Sequence, residues 1–537
     1  MPEPASTTTS LPSLPGGDPP VPGRAAGGRR GREGWTLASV AFGVIMVGLD
    51  GTVVAIANPY IGRSLHGSLS DLQWITNAYL LALAVLLVPM GNLGDRLGRK
   101  RVFLTGVVGF ALSSLGVGVI GSIGGVITLR VVQGVFGAMM MPNTLGIIRN
   151  TFPPERLNRA VGIWGGSSAI SIAGGPIVGG LLVEHVDWQS VFYLNVPVGA
   201  VALAIGLAVL AESRDASPRR FDLRGLVVLG SGLFALVFSL VKADAWGWGS
   251  GRTLGLLAAG AVLLGAFAFL ETRTAEPLLP MRLFRSRSLS IGTLAVLLEF
   301  FAMYGVLFFV TLYLQNVHGY DPVAAGVHLL PLTAMFMVAS PLGALINERL
   351  GGRVAVPFGM VCLGVGMLLL LSLQPGSSYL HLWPSFVLVG LGVGVVVVAS
   401  SDAIVANAPV EDGGLAGGLQ STAVQLGGVL GTSVLGSVLA TKVAGTLQAA
   451  FVHHGVPAGT AAKLQAARPL VTEGLAPHLA HAPAALDAAV TAGADASFMA
   501  GLHLALLVGT IVSFAAALLG LFIGAPAHKD RRSGIAL

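Results

Sequence analysis

Gly91-Asn92-Leu93-Gly94-Asp95-Arg96-Leu97-Gly98-Arg99-Lys100 is a short, largely polar stretch joining two long apolar windows, 71–93 and 102–121. Each window is long enough to cross about 30 Å of hydrocarbon as a helix. The loop therefore reads as a tight turn between two membrane helices. Its glycines let two helix ends come close and reverse sharply. Asp95 stands among Arg96, Arg99, Lys100 and Arg101. There it is placed to pair with a basic group or to cap a neighbouring helix N-terminus.

Windows of the same kind recur on both sides of this loop. Numbered in order, the spans are 37–60, 71–93, 102–121, 124–148, 160–183, 190–211, 223–242, 253–271, 288–316, 323–346, 354–373, 380–408, 414–440 and 497–523, fourteen in all. Composition agrees: 54% of the chain is hydrophobic and only 10% charged. A water-facing protein carries about a quarter charged residues, so lipid is the expected solvent. Glycine is abundant, at 75 residues, as helices that pack backbone to backbone in lipid require. The single cysteine, Cys362, excludes a disulfide within the chain and a cysteine-rich metal site.

The basic balance, with a pI near 9.7, points to topology rather than to nucleic acid. With the N-terminus inside, 24 of the 31 Lys and Arg fall in inside segments and six in outside segments, with Arg130 inside a span. That bias is the positive-inside rule. It puts both termini in the cytoplasm. Residues 1–35, rich in Pro, Gly and Ser, read as a disordered basic tail. They make a poor signal peptide, because the apolar stretch that follows is long, starts late and contains Asp50. Segment 441–496 is the one long outside loop. It holds His453, His454, His478 and His481 without the spacing of a metal site.

The loop after span 2 has a weak echo after span 10: Gly343-Ala344-Leu345-Ile346-Asn347-Glu348-Arg349-Leu350-Gly351. Each follows the second span of a six-span group, so the chain reads as duplicated halves with spans 7 and 8 inserted. The expected fold is an all-α membrane protein of fourteen transmembrane helices, two six-helix bundles plus an inserted helix pair. The boundaries are 1–35 for the tail, 36–211 for the first bundle and 212–272 for the inserted pair. The second bundle follows at 273–524, with the outer loop 441–496, and a cytoplasmic tail at 525–537.

Four charges lie well inside spans: Asp50, Arg130, Glu299 and Asp402. Buried charge is costly and marks function by default. Asp50 and Arg130 both fall in the outer half of the first bundle, where they can pair. A change in burial or in that pairing would load or release a proton. Glu299 falls near the midplane beside Leu298, Phe300, Phe301 and Tyr304, and aromatic faces suit a cation. Asp402, near the cytoplasmic end of span 12, is either a coupling acid or a residue that reaches the interface. In span 5, Ser171, Gly175 and Gly179 fall at i, i+4, i+8, a flat seam for another helix, and Pro176 bends it.

These motifs resemble the major facilitator superfamily, in particular its fourteen-spanner drug:proton antiporter branch (EmrB/QacA-type). The likeness rests on the loop with Gly91, Asp95, Arg96, Gly98 and Arg99, on Leu49-Asp50-Gly51-Thr52 in span 1, and on Gln73-Trp74 and Tyr79 in span 2. It continues with Arg130-Val131-Val132-Gln133-Gly134, the span 5 motif with Gly175, Pro176, Gly179 and Gly180, and Phe192-Tyr193-Leu194-Asn195-Val196-Pro197. Gln189 and Ser171 depart from the pattern, which usually has arginine and glycine there.

The resemblance implies a bacterial cytoplasmic-membrane exporter of hydrophobic small molecules, cationic ones included, driven by the proton gradient with no bound cofactor. Under it, Asp50, Arg130 and Asp402 are the proton-coupling candidates, and Glu299, Tyr304 and Gln133 the cargo-binding ones. A monomer is expected, without nucleic acid, metal or catalytic residues. Rivals remain an exporter or proton symporter dedicated to one metabolite or amino acid, and a membrane acyltransferase. The last rests only on His66-x-x-x-x-Asp71. A nucleotide-driven pump is excluded on motif grounds, since none of the five lysines follows a glycine.

Overall fold

The computed structural model describes residues 26–214, 222–408, 413–479 and 482–524. Its long elements are helices. In the first half α1 (Ala26–Leu65), α2 (Leu69–Leu97), α3 (Arg99–Val119), α4 (Ile123–Thr151) and α5 (Pro154–His185) are followed by α6 (Ser190–Tyr193) and α7 (Asn195–Val209). A pair follows, α8 (Leu223–Trp246) and α9 (Gly251–Arg273). The second half runs α10 (Arg287–Leu312), α11 (Pro322–His328), α12 (Leu330–Leu350), α13 (Gly352–Leu370), α14 (Tyr379–Val405) and α15 (Gly413–His453). The short α16 (Ala458–Lys463) and α17 (Arg468–Thr472) lead into α18 (Ala484–Gly520).

Among the described residues, 13 helical stretches are long and apolar enough to cross a membrane. The helix at the expected fifth span, α5, is formed over 32 residues but is not one of the 13. Two expected spans are broken inside. Span 6 divides at Leu194, just ahead of Pro197. Span 10 divides at Leu329, where Pro331 enters the first turn of α12.

The two halves repeat one packing scheme. In the first, α1 packs on α5 and α7, α4 on α2 and α3, and α3 on α7. In the second, α10 packs on α15 and α18, α14 on α12 and α13, and α13 on α18. The halves meet along two seams, α2 with α15 and α5 with α11 and α12. These seams are equivalent under the same correspondence. Helix α8 lies against both α2 and α15, over one of them.

Two sequence boundaries need correction. Helix α1 begins at Ala26, so the tail expected to be disordered up to residue 35 is helical over 26–35; residues 1–25 lie outside the described set. Arg32 there donates through Nε to the Val209 carbonyl at 3.0 Å, and Glu33 pairs with Arg156 at 2.8 Å. The outer loop is also shorter than 441–496, because α15 runs on to His453 and α18 starts at Ala484. Alanine-rich flanks favour helix whether or not lipid surrounds them, so hydropathy alone cuts them off too early. The tail 525–537 lies outside the described residues.

Candidate functional site

The α2–α3 turn is built as its glycines suggest. Gly98 has φ +113°, and a Cβ there would come within 2.5 Å of the Glu212 carboxylate. Gly94 lies hard against the Asn143 side chain of α4. Asp95 pairs with Arg99 one turn on, at 2.7 Å. Glu212, which the sequence reading did not single out, accepts the Lys100 backbone N–H at 3.1 Å and pairs with Arg101 at 3.5 Å. It thus occupies the positive N-terminal end of α3. No sequence pattern marks it, because it comes from the far end of the sixth span.

Within the first half, Asp50 on α1 is the centre of a dry polar cluster. Arg130 of α4 donates through Nη1 to Asp50 Oδ2, and the paired side chains are each 1% exposed. Gln133 Nε2 donates to Asp50 Oδ1 at 2.8 Å, and the Asn195 amide of α7 adds a bond to the same oxygen at 3.1 Å. Arg130 also donates to Gln133 Oε1 at 2.7 Å and, through Nε, to the Ile75 carbonyl at 3.0 Å. Its guanidinium lies 4.2 Å from the centroid of the Tyr79 ring. Asn195 continues to Ser114 Oγ of α3 at 2.9 Å. Five helices, α1, α2, α3, α4 and α7, therefore contribute a group. Gln133, expected to meet cargo, has both ends of its amide engaged inside this cluster. Asn195 and Ser114 are contributors that sequence reading missed, although Asn195 lies inside a quoted motif.

Glu299 on α10 is also fully buried, but both its carboxylate oxygens lack a hydrogen-bond partner. Arg130 does not reach it. On the same helix Tyr304 packs against Phe300 in a tilted arrangement, with ring centroids 6.0 Å apart. Tyr304 joins Gly51, Ala55, Thr76, Leu307, Phe308 and Thr432 around a cleft of about 10 Å³ between the halves, scarcely space for one water. Tyr304 thus comes beside Gly51, next in sequence to Asp50, and links the two acids' surroundings. Asp402 stands apart: it is exposed and accepts a bond from Asn347 at 2.9 Å.

The α5 motif does two jobs. Ser171, Gly175 and Gly179 pack on α1 at Gly48, Thr52 and Val53 respectively. Gly180 faces the other half, where an added Cβ would come within 2.5 Å of the Pro322 carbonyl oxygen of α11. Gly326 of α11 in turn abuts the Pro176 carbonyl. Along the other seam, Gln73 donates to the Thr432 carbonyl at 2.7 Å and Asn77 to Ser433 Oγ at 2.9 Å. No group of three or more His, Cys, Asp or Glu among the described residues is arranged to hold a metal.

A family profile described as Major Facilitator Superfamily matches residues 40–432. The chain belongs to the major facilitator superfamily. It is therefore a membrane transporter and not an enzyme. Its relatives in this superfamily include resistance and export proteins. The tetracenomycin C resistance and export protein of Streptomyces glaucescens is 46% identical over 511 residues, covering 95% of this chain and 94% of that protein. The multidrug efflux pump LfrA of Mycolicibacterium smegmatis is 35% identical over 488 residues, covering 90% and 95%. Among solved structures, a bacterial homolog of the human lysosomal transporter Spinster, in an inward-facing and unoccupied conformation, has a TM-score of 0.62. It covers 92% of this chain and 99% of its own at 17% identity. That likeness concerns the superfamily fold alone.

Proposed function

We propose that this chain is a proton-coupled antiporter that exports hydrophobic small molecules across a bacterial cytoplasmic membrane by alternating access. The observation that carries this reading is the near full-length similarity to an export protein, joined to two equivalent seams about which the halves can rock. In this reading α5 is the fifth of fourteen spans, both termini are cytoplasmic, and α8–α9 (within 212–272) are an inserted pair between bundles 36–211 and 273–524.

Asp50 is the coupling acid and Arg130 its counter-ion, with Gln133 holding the pair. Taking up a proton at Asp50 would free Arg130 from its partner and loosen the helices that meet there. Glu299, buried without a hydrogen-bond partner, is cheapest as the neutral acid, and Tyr304 of the same helix lines the cleft between the halves. The loop at Gly91–Arg99 and the α5 motif serve the conformational change. Asp402, exposed at a helix end, is left out of the coupling set. Each charge moved across 100 mV supplies about 2.3 kcal/mol, roughly a fifty-fold gradient.

A relative named for one compound favours a narrow cargo range, so tetracenomycin C is the first molecule to try beside a cationic dye panel. Purified protein in liposomes should move cargo against its gradient when a pH difference is imposed, and should acidify or alkalinise the lumen as cargo moves. Uphill cargo movement that ignores the pH difference would overturn antiport.

A further inference from the structure

On the outer face, the chain between α15 and α18 is pinned at both edges of α17. At its start Arg468 pairs with Asp244 of α8 at 2.9 Å. Just past its end comes Glu473, whose side chain is buried, with the residue only 6% exposed. Glu473 meets three other segments there. Its carboxylate lies near Gly62 at the end of α1, and the Leu69 backbone N–H in the first turn of α2 donates to it. Its backbone carbonyl accepts from Asn316 Nδ2, just beyond α10, at 2.7 Å. Asn316 in turn accepts from Arg63 of α1 through its Oδ1. Both halves and the outer loop thus converge on one residue. Gly474, at φ +79°, reverses the chain directly after it.

Two charged side chains face the Glu473 carboxyl: Asp71 from the first turn of α2 and Arg63 from α1. Asp71 is fixed by the capping box with Ser68 and cannot swing away cheaply. The guanidinium of Arg63 is already bonded to Asn316. Two acids therefore share this corner with one engaged base.

We propose that Glu473 is an outward-facing proton-binding latch: in its neutral form it docks α17 on the outer ends of α1 and α2 and holds the outer mouth shut, and on ionising it lets go. Burial first, then the Asp71 carboxylate, push the pKa of its carboxyl up to about 8 from an ordinary 4.5, against the smaller pull of the Leu69 N–H and Arg63. The docked form has the raised value, so docking takes up a proton. Docking is fully favoured below the ordinary glutamate value and is lost as pH rises through about 8. The latch rests on the alternating-access reading for its role, since an outer mouth must open to release cargo. In a proton-driven exporter the acidic side is the outer one, which favours reclosure after release.

The test is a distance measured without any gradient. Spin labels at Ser64→Cys and Leu470→Cys, in a Cys362→Ala chain in lipid nanodiscs, report the separation of α1 from α17. One narrow distance is expected at pH 5.5, with a longer population growing as pH passes about 8. Glu473→Gln should keep the narrow distance at every pH. Asp71→Asn should shrink the pH response, because the repulsion it removes is one source of it. A distance that ignores pH in the unmodified latch, or a Glu473→Gln chain that still follows pH, overturns the proposal. Intact pH-driven transport with a pH-flat distance sinks the latch alone. A pH-responsive latch in a chain that moves no cargo sinks the exporter reading and leaves the latch standing.

Discussion

Asp50 and Glu299 sit on corresponding helices, α1 of the first half and α10 of the second, and both are buried. Their surroundings are opposite. Asp50 is held by Arg130, Gln133 and Asn195, whereas Glu299 has nothing polar to hold it. The duplicated architecture thus carries a buried acid on this helix in each half, with different chemistry around the two. The paired acid is fixed by an arginine and two amides. The solitary acid must be neutral, be wetted, or receive a cation when the halves part. Corresponding helices therefore need not carry equivalent roles.

The sharpest way to break the comparison is to strip Asp50 of its partner. Arg130→Ala leaves a carboxylate in a dry bundle, and losing one member of a buried pair costs about 3–5 kcal/mol. Thermal unfolding in detergent should show a large fall, and adding Asp50→Asn should restore much of it. Asp50→Asn alone should abolish pH-driven efflux while leaving some downhill equilibration of cargo. Full pH-driven transport by that variant would reduce Asp50 to a structural role.

Glu299→Gln should behave differently. It exchanges one unpartnered group for another of similar shape, so stability should move by less than about 1.5 kcal/mol. Efflux of cationic dyes should fall several-fold, while neutral compounds keep their transport and its pH response. Equal loss for neutral and cationic cargo, in folded protein, would move Glu299 into the coupling machinery and erase the contrast with Asp50.

The smallest effect on stability is expected at the α2–α3 turn. Asp95 and Arg99 form a part-exposed pair within one helical turn, worth about 1 kcal/mol or less. Asp95→Asn should therefore unfold at nearly the same temperature, bind cargo much as before, and transport it slowly. In the second half the related turn carries an amide contact instead, Asn347 to Asp402, and Asp402→Asn should leave transport nearly intact. Binding lost in parallel with transport in Asp95→Asn would remove the conformational role.

Hydropathy, glycine spacing and the placement of Lys and Arg determined a great deal here. The helical membrane class, the duplicated halves, the pairing of Asp50 with Arg130 and the isolation of Glu299 were all legible, because charge is too expensive in lipid to be placed idly. Helix ends were less so: the alanine-rich flanks of the 441–496 loop are helical for local reasons that hydropathy does not register, and the glycine-rich start of α1 is tied down by contacts from Val209 and Arg156. Only the tertiary structure put Gln133 inside the ion-pair cluster rather than in the cavity, brought Glu212 to the start of α3, and set Glu473 against Asp71 across some four hundred residues of chain. Such contacts join side chains from different helices, and which helix faces which is decided by packing in three dimensions. No local pattern in the chain records it.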